Sequence, residues 1–252
     1  MNACLNLKLF SIPTENTDIK RRYMTMQKKP RKYRRFRLTV LTLCLFPMFT
    51  PLQFTRAVET MDWTKLKIVA LGDSITWGYP NGRSWTNLVS IETGIQIVNR
   101  GVSGETLEEM YYRLENDVIR EKPEICIIMG GTNDVFFGNS PEEMMNLIEQ
   151  MAGELKRRKI IPVIGLPIPL PRGGQTEDKL QTLRKKLQDS GMLTIDFAGD
   201  FARSKKDFKK LLPDGIHPAD EGKRMMAERL KKELPRIVSA YVESKLETEI
   251  SN

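Results

Sequence analysis

Short apolar runs alternate with longer amphipathic segments along the chain after about residue 62. The runs are rich in β-branched residues and lie at 67–71, 95–99, 124–129, 160–166 and 192–197. Helical segments are predicted near 84–93, 106–120, 140–158, 176–189 and 219–243. Continuous apolar strands that alternate with helices are typical of a parallel sheet buried on both faces. The pattern predicts an α/β fold, a three-layer α/β/α sandwich around a central parallel sheet of about five strands.

One of the predicted helices has a clear beginning. In the stretch NSPEEMMNLIEQM, Ser140 is suited to the N-cap and Pro141 to the first helical position. Glu142 and Glu143 follow, where negative charge is favoured by the helix dipole. The segment is therefore predicted to be a helix that starts at Pro141.

The positive charge of the chain is confined to its beginning. The formal net charge is +8, but residues 1–57 hold twelve Lys and Arg against two acidic residues. The remainder has 28 basic and 30 acidic residues and is nearly neutral. A general phosphate-binding surface is thus not indicated, and we expect no nucleic-acid partner.

Residues 1–57 have the organisation of an export leader. The basic stretch KKPRKYRRFR runs into the apolar stretch LTVLTLCLFPMFTPLQF, as in a secretory signal. Pro47 and Pro51 interrupt the apolar run, which favours a signal cleaved near Ala57 over an uncleaved membrane anchor. Translation from Met24 or Met26 would give a leader of ordinary length. We predict an exported protein, secreted or on the cell surface, or anchored in the membrane through this apolar segment if the leader is retained.

The cysteines predict a body without disulfides. Cys4 and Cys44 fall in the leader, Cys126 lies in an apolar run, and LTLC is a poor lipidation signal. Residues 58–252 are long enough to form one domain held together by its core, and a monomer is expected.

Polar motifs follow the predicted strands. They read GDSIT at 72–76, SGET at 103–106, GTND at 131–134 and, after the last strand, DGIHP at 214–218. Ligands of parallel α/β sheets bind beyond the carboxyl ends of the strands, so these motifs are expected to meet at one edge. Each motif is weak alone; their joint order makes the signal strong.

The motifs contain the parts of a serine hydrolase. A serine hydroxyl needs a base to become a nucleophile, and His217, the single histidine of the chain, can be that base for Ser74. Asp214 can hold the other ring nitrogen. The backbone N–H groups of Ser74 and Gly104 and the side-chain amide of Asn133 can bind an oxyanion.

These blocks resemble the four motif blocks of the SGNH-hydrolase superfamily, the GDSL-type esterases and lipases, over about residues 66–240. The resemblance is greatest to the lysophospholipase L1 and thioesterase-like branch, which also has a DGIHP block. It implies a flavodoxin-like fold, Ser74 as nucleophile, Asp214 and His217 completing the triad, and Gly104 and Asn133 as oxyanion donors. The first block has isoleucine where the family name has leucine, a common variation that does not affect the chemistry.

Each assignment has a structural alternative. Ser74 could be only a helix N-cap, and Gly104 and Asn133 could be only turn residues, Asn133 in the left-handed conformation. Asp73 and Asp134 are expected to bond loop N–H groups rather than act in catalysis. Three other carboxylates compete with Asp214 as the histidine partner: Asp196, Asp200 and Asp220. Four aromatic residues could line a substrate cleft or belong to the core: Trp77, Tyr79, Phe136 and Phe137.

The expected function is that of a carboxylic ester hydrolase acting through an acyl-enzyme. We expect no cofactor and no metal, because one histidine does not make a histidine-rich zinc site. No GxxxxGK loop follows a strand, which argues against a phosphate-binding enzyme. The alternatives are a carbohydrate O-acetylesterase of the same superfamily and a non-catalytic module that binds a carbohydrate or lipid. A small-molecule ester, a lipid and an acylated glycan all remain open as substrates.

Overall fold

The computed structural model describes residues 58, 60–171, 173–204 and 208–250. The predicted leader at 1–57 lies outside the described residues, and the boundary after Ala57 stays a prediction. Within the described part, no helix combines the length and the apolar character needed to cross a membrane.

Five parallel strands form one sheet in the order β2-β1-β3-β4-β5. They are β1 (Lys67–Gly72), β2 (Gln96–Gly101), β3 (Ile125–Met129), β4 (Ile161–Gly165) and β5 (Thr194–Ile195). In register, Gly72 pairs with Gly101 of β2 and with Met129 of β3. The carboxyl ends of β2, β1 and β3 are therefore level at one edge of the sheet. The predicted five-stranded parallel sheet is confirmed.

Strand β5 is shorter than the predicted run 192–197. Thr194 and Ile195 alone pair with β4, and Asp196 already caps the next helix by accepting a hydrogen bond from the N–H of Gly199 at 2.7 Å. The apolar residue that follows, Phe197, is buried, but it belongs to that helix and not to the strand. Apolar character alone did not distinguish the residues of the strand from the first residue of the helix that follows.

Helices connect and flank the strands. They are α1 (Ser74–Trp77), α2 (Trp85–Thr93), α3 (Leu107–Asp117), α4 (Thr132–Phe136), α5 (Pro141–Arg157), α6 (Gln175–Asp189), α7 (Phe197–Arg203), α8 (Phe208–Leu211) and α9 (Asp220–Ile250). Ser140 caps α5, as predicted, and it also forms a reciprocal capping box with Glu143. Helix α9 runs seven residues beyond the predicted end at 243 and contains Pro235.

The two faces of the sheet bury separate apolar clusters. Along β1, Ile68 and Ala70 face one cluster, whereas Val69 and Leu71 face the other, as the alternation of side chains along a strand requires. Helices α2, α7 and α9 cover the first face, and α3, α5 and α6 cover the second. The arrangement is the predicted three-layer sandwich, with its polar motifs at the carboxyl edge.

Candidate active site

Ser74 lies in the tight turn that follows β1. Asp73 is the N-cap of α1, where its carboxylate accepts a hydrogen bond from the N–H of Ile75 at 2.9 Å. Ser74 is the first helical residue, so the alternative that it caps the helix is wrong. A Cβ at Gly72 would come within 2.7 Å of the carbonyl oxygen of Met129, so the turn requires glycine there. The turn directs Ser74 to the sheet edge with 6 % of its surface exposed.

Ser74, His217 and Asp214 form a hydrogen-bonded chain. The Oγ of Ser74 is 2.9 Å from Nε2 of His217, and Nδ1 of the same ring is 2.6 Å from Oδ2 of Asp214. The imidazole is largely shielded, with 20 % of its side chain exposed. In this geometry an imidazole can accept the proton of a hydroxyl while a carboxylate holds its other nitrogen.

The carboxylate of Asp214 is fixed by the backbone that follows it. Its Oδ1 accepts hydrogen bonds from the N–H of Ile216 at 2.9 Å and of His217 at 2.7 Å. Partial burial raises the pKa of the Asp214 carboxyl, but the hydrogen bonds from His217 and Ile216 outweigh it and hold that pKa below its ordinary value. The group is therefore a carboxylate at neutral pH, with one oxygen left for the imidazole.

The three competing carboxylates are engaged elsewhere. Asp196 caps α7, Asp200 binds the guanidinium of Arg229, and Asp220 begins α9. Among the sequence candidates, Asp214 is the carboxylate at hydrogen-bonding distance from the imidazole.

A tyrosine ring covers one side of the imidazole. The ring centroids of Tyr79 and His217 are 4.2 Å apart, with their planes tilted by 34°. Tyr79 follows α1 closely and is 42 % exposed. The interpretation of Tyr79 as a core residue is therefore wrong, and its contact with the histidine was not predicted.

Gly104 lies in the turn that follows β2. The N–H of Glu105 donates to the carbonyl of Val102 at 3.4 Å, and Gly104 has a φ of 85° at the third position of this turn. That conformation requires glycine, so the turn role expected as an alternative is present. The N–H of Val102 donates to the carbonyl of Gly72 at 2.9 Å, which ties this loop to the turn that carries Ser74.

Asn133 lies inside α4, so the alternative of a left-handed turn residue is wrong. Its Nδ2 donates to the carbonyl of Glu105 at 2.8 Å. Glu105 directly follows Gly104, so this bond joins the loops after β2 and β3. A side-chain amide nitrogen has two N–H donors, and the bond to Glu105 engages one of them.

An arginine that the sequence analysis missed connects the same loop to β1. Arg113 of α3 donates from Nε to the carboxylate of Glu105 at 2.6 Å and from a terminal nitrogen to the carbonyl of Gly72 at 3.1 Å. Another terminal nitrogen donates to Asp117 at 2.8 Å. The side chain is 15 % exposed, so this bridge is shielded from water. An arginine four residues from Glu109 and from Asp117 on a helix indicates only a surface ion pair from the sequence.

The two acidic residues of the motifs bond backbone N–H groups, as predicted, but these belong to the first turns of helices rather than to loops. Asp134 is fully buried and accepts hydrogen bonds from the N–H of Leu107 at 3.1 and 3.2 Å and from the amide of Asn139 at 3.2 Å. Burial raises the pKa of the Asp134 carboxyl. Because Leu107 is the first residue of α3, Asp134 joins the loop after β3 to that helix. Asp73 caps α1 in the same way.

Exposed apolar side chains cluster around this edge. In the described part of the chain, seven large apolar side chains are exposed, and five of them follow β1, β2 or β3: Trp77, Tyr79, Val102, Phe136 and Phe137. Phe136 and Phe137 come three and four residues after Asn133, the spacing that places helical side chains on one side. The four candidate aromatics are thus exposed rather than buried in the core.

Comparisons with known proteins place the chain among esterases and lipases. The sequence model of the GDSL-like lipase/acylhydrolase family matches residues 70–225. Uncharacterized lipoprotein YqeF of Bacillus subtilis is 32 % identical over 125 residues, covering 42 % of this chain and half of that protein. An arylesterase of Vibrio mimicus is 25 % identical over 67 % of this chain and 88 % of its own. An acetylxylan esterase of Geobacillus stearothermophilus is 27 % identical over 57 % of this chain and 74 % of its own.

Solved structures agree with the sequence comparisons. The lipase/acylhydrolase of Enterococcus faecalis superposes with a TM-score of 0.61 and 25 % identity, over 68 % of this chain and 95 % of that one. The predicted resemblance to the SGNH-hydrolase superfamily is confirmed. Because the family model spans more than half of the sequence and includes Ser74, Gly104, Asn133, Asp214 and His217, the chain belongs to the GDSL-like lipase/acylhydrolase family.

Proposed function

We propose that the protein is an exported serine esterase that hydrolyses carboxylic esters through an acyl-enzyme. Ser74 is the nucleophile, His217 the general base and acid, and Asp214 the carboxylate that orients the imidazole. The backbone N–H groups of Ser74 and Gly104 and the side chain of Asn133 bind the oxyanion. The single observation that carries the proposal is the hydrogen-bonded chain from Ser74 through His217 to Asp214, with distances of 2.9 and 2.6 Å.

In the first half of the reaction, the ester acylates the enzyme. His217 takes the hydroxyl proton of Ser74 on Nε2 while Oγ attacks the ester carbonyl carbon. The carbonyl oxygen becomes an oxyanion, and N–H donors bind it more strongly than they bind the neutral carbonyl. When the tetrahedral intermediate collapses, the imidazolium gives its proton to the departing alkoxide, and the acyl group stays on Ser74.

In the second half, water releases the acid. His217 accepts a proton from the water as its oxygen attacks the acyl carbon, and the imidazolium then returns that proton to Oγ of Ser74. Asp214 stabilises the imidazolium in both halves without itself becoming protonated. Its lowered pKa supports this role, because a carboxylate that ionises readily remains charged next to the ring.

The relatives and the exposed aromatic side chains suggest two kinds of ester. The arylesterase relative supports small aryl esters, and the acetylxylan esterase relative supports the second candidate, an O-acetylesterase acting on a glycan. Exposed apolar side chains around the candidate site can contact an aryl group, an acyl chain or the apolar face of a sugar. The predicted leader, together with a lipoprotein relative, supports export.

The test is ester hydrolysis by matched serine variants. Wild-type protein, Ser74→Ala and Ser103→Ala are assayed with p-nitrophenyl acetate, butyrate and octanoate and with acetylated xylan. Ser103 is an exposed serine in the loop after β2, so its variant controls for serine replacement at the same sheet edge. We expect Ser74→Ala to lose turnover while keeping the fold, and Ser103→Ala to remain active.

The substrates separate the two candidates. Rapid hydrolysis of p-nitrophenyl esters identifies a general esterase, whereas acetate release from xylan with slow turnover of the aryl esters identifies the O-acetylesterase. Ser74→Ala that hydrolyses any of these esters at the wild-type rate would overturn the proposal. A folded wild-type protein that hydrolyses none of them would favour the non-catalytic module.

A further inference from the structure

A lysine is buried beside the candidate active site. Lys223 lies in the first turns of α9 and is 3 % exposed, although lysine is among the residues least often buried. It occupies the apolar side of the helix, in step with buried residues at 226, 227, 230 and 234. Removing an ammonium from water costs free energy, so a lysine at this position must make hydrogen bonds that compensate for its burial.

The ammonium of Lys223 binds the segment that follows Ser74. Its Nζ donates to the carbonyl of Gly78 at 3.1 Å and lies 3.5 Å from Oδ1 of Asn81. Gly78 is the C-cap of α1, and its N–H donates to the carbonyl of Ser74 at 2.9 Å. Lys223 thus contacts the end of the helix that begins with Ser74.

The contact between the rings of Tyr79 and His217 lies next to this connection. Tyr79 directly follows Gly78, and its ring lies 4.2 Å from that of His217. His217 in turn precedes α9, the helix that carries Lys223. The lysine therefore links the segment of the nucleophile to the segment of the histidine, on the side where Tyr79 covers the imidazole.

Both acceptors of Lys223 are neutral oxygens, a backbone carbonyl and an amide. Burial lowers the pKa of the Lys223 ammonium. The negative charge of Asp220, on the same helix, raises this pKa, and the positive charge of Arg83 lowers it further. A hydrogen bond from a charged donor to a carbonyl is short-ranged and directional, which suits it to fixing a position. A buried carboxylate would compensate the charge of Lys223 better than these neutral oxygens do. It would not, however, tie the lysine to the carbonyl of Gly78.

We propose that Lys223 is a positioning residue, which holds the end of α1 against α9 and thereby keeps Tyr79 packed on His217 and the imidazole aligned with Ser74. The role does not involve contact with substrate. Loss of the ammonium should let the segment 78–81 move away from α9, so the ring contact and the alignment of His217 with Ser74 should both loosen. The kinetic consequence rests on the proposed function, whereas the structural one does not.

The chain offers a direct probe, because His217 is its single histidine. In full-length protein labelled with ¹³C-histidine, all imidazole signals come from His217, and the ring current of the nearby Tyr79 shifts the signals of the imidazole protons. Tyr79→Leu supplies the shift expected when the ring is absent. We expect the His217 signal in Lys223→Met to move part of the way toward its position in Tyr79→Leu. Lys232→Met, on an exposed site of the same helix, should leave it in place.

Kinetics test the consequence for catalysis. We expect kcat for p-nitrophenyl acetate to fall about tenfold in Lys223→Met, with KM changed less than about twofold, because misalignment affects the reacting groups more than substrate binding. In the double variant with Tyr79→Leu, the kcat should fall less than the product of the two single effects, since both changes release the same contact. If Lys223→Met does not fold, Lys223→Gln takes its place. The side chain of glutamine is one bond shorter than that of lysine, so we expect it not to reach the carbonyl of Gly78.

The outcomes separate the two proposals. A His217 signal in a folded Lys223 variant that coincides with that of the wild type overturns the positioning role, and so do kinetic effects of Lys223→Met and Tyr79→Leu that multiply fully. A wild-type protein without esterase activity overturns the proposed function, while the imidazole signal still decides the role of Lys223.

Discussion

Asp73, directly before the candidate nucleophile, should make the stability of the protein depend on pH. The residue is 1 % exposed. Burial raises the pKa of its carboxyl to about 7; the hydrogen bond from the N–H of Ile75 opposes this, and the nearby charge of Asp134 adds to it. The perturbation that isolates this effect is Asp73→Asn, because the amide cannot ionise but its oxygen can still accept the bond from Ile75.

The sign and the size follow from the two pKa values. The folded value of about 7 lies above the unfolded value of 3.8, so between them the folded state binds more protons. The contribution of Asp73 to stability is therefore fully present below pH 3.8 and is lost as the pH rises through 7. A difference of about three pKa units corresponds to about 4 kcal/mol. That is a large part of the roughly 5–15 kcal/mol by which domains are stable.

The assay is urea unfolding at several pH values between 4 and 8, followed by tryptophan fluorescence. Trp85 is fully buried against Phe197, so its emission should change on unfolding. The unfolding free energy of Asp73→Asn, relative to that of the wild type, should rise by about 4 kcal/mol across this range. Asp189→Asn, on the exposed side of α6, gives the baseline for losing a surface carboxylate. A difference between Asp73→Asn and wild type that stays constant with pH would refute the reasoning.

Three further changes test the catalytic assignments and the aromatic surface. Asp214→Asn should lower kcat about 10⁴-fold, because its amide would donate to Nδ1 and leave the imidazole proton on Nε2, facing Ser74; a loss below tenfold at saturating p-nitrophenyl acetate would contradict this. Asn133→Ala should lower kcat about a hundredfold or more with little change in KM, and full activity would remove it from the oxyanion site. Phe137→Ala, at a side chain 74 % exposed, should lower kcat/KM for p-nitrophenyl octanoate about fivefold and leave the acetate unaffected. Equal effects on the two esters would show that Phe137 does not contact the acyl chain.

The sheet could be predicted well because a strand that is buried on both faces consists of consecutive apolar residues. Both faces of β1 are covered, so Ile68 to Leu71 are all apolar and the run is unmistakable. The end of β5 was missed because the decision depends on a single side chain. Asp196 ends the strand by capping α7, and no apolar pattern distinguishes an aspartate that caps a helix from one that follows a strand.

The arrangement of the candidate site was predictable to the extent that it is local. Asp214 and His217 are three residues apart, so one short turn brings the carboxylate to the imidazole and also bonds it to the backbone. Arg113 and Lys223 were not found, since each binds a backbone carbonyl, of Gly72 and of Gly78, and such a contact has no sequence signature. The sequence signal for Lys223 is its position on α9, at helical spacing from the buried apolar residues 226, 227, 230 and 234.

The topology explains why the histidine side of the site needs such additional contacts. The strands that precede Ser74, Gly104 and Asn133 are neighbours in the order β2-β1-β3, so sheet hydrogen bonds fix the relative positions of the loops that carry these residues. His217 instead follows β5, three strands from β1, which corresponds to about 14 Å at the usual strand spacing.

The sheet is continuous from β1 to β5, but His217 comes well after Ile195, the last residue of β5, so sheet hydrogen bonds do not fix the imidazole directly. The segment before α9 must return to Ser74, and contacts outside the sheet must fix it there. The described contacts on this side include the ring of Tyr79 on the imidazole and the bond from Lys223 to the carbonyl of Gly78. Substitutions that leave the sheet intact but loosen these contacts should therefore affect the alignment of His217 with Ser74 before they affect the stability of the fold.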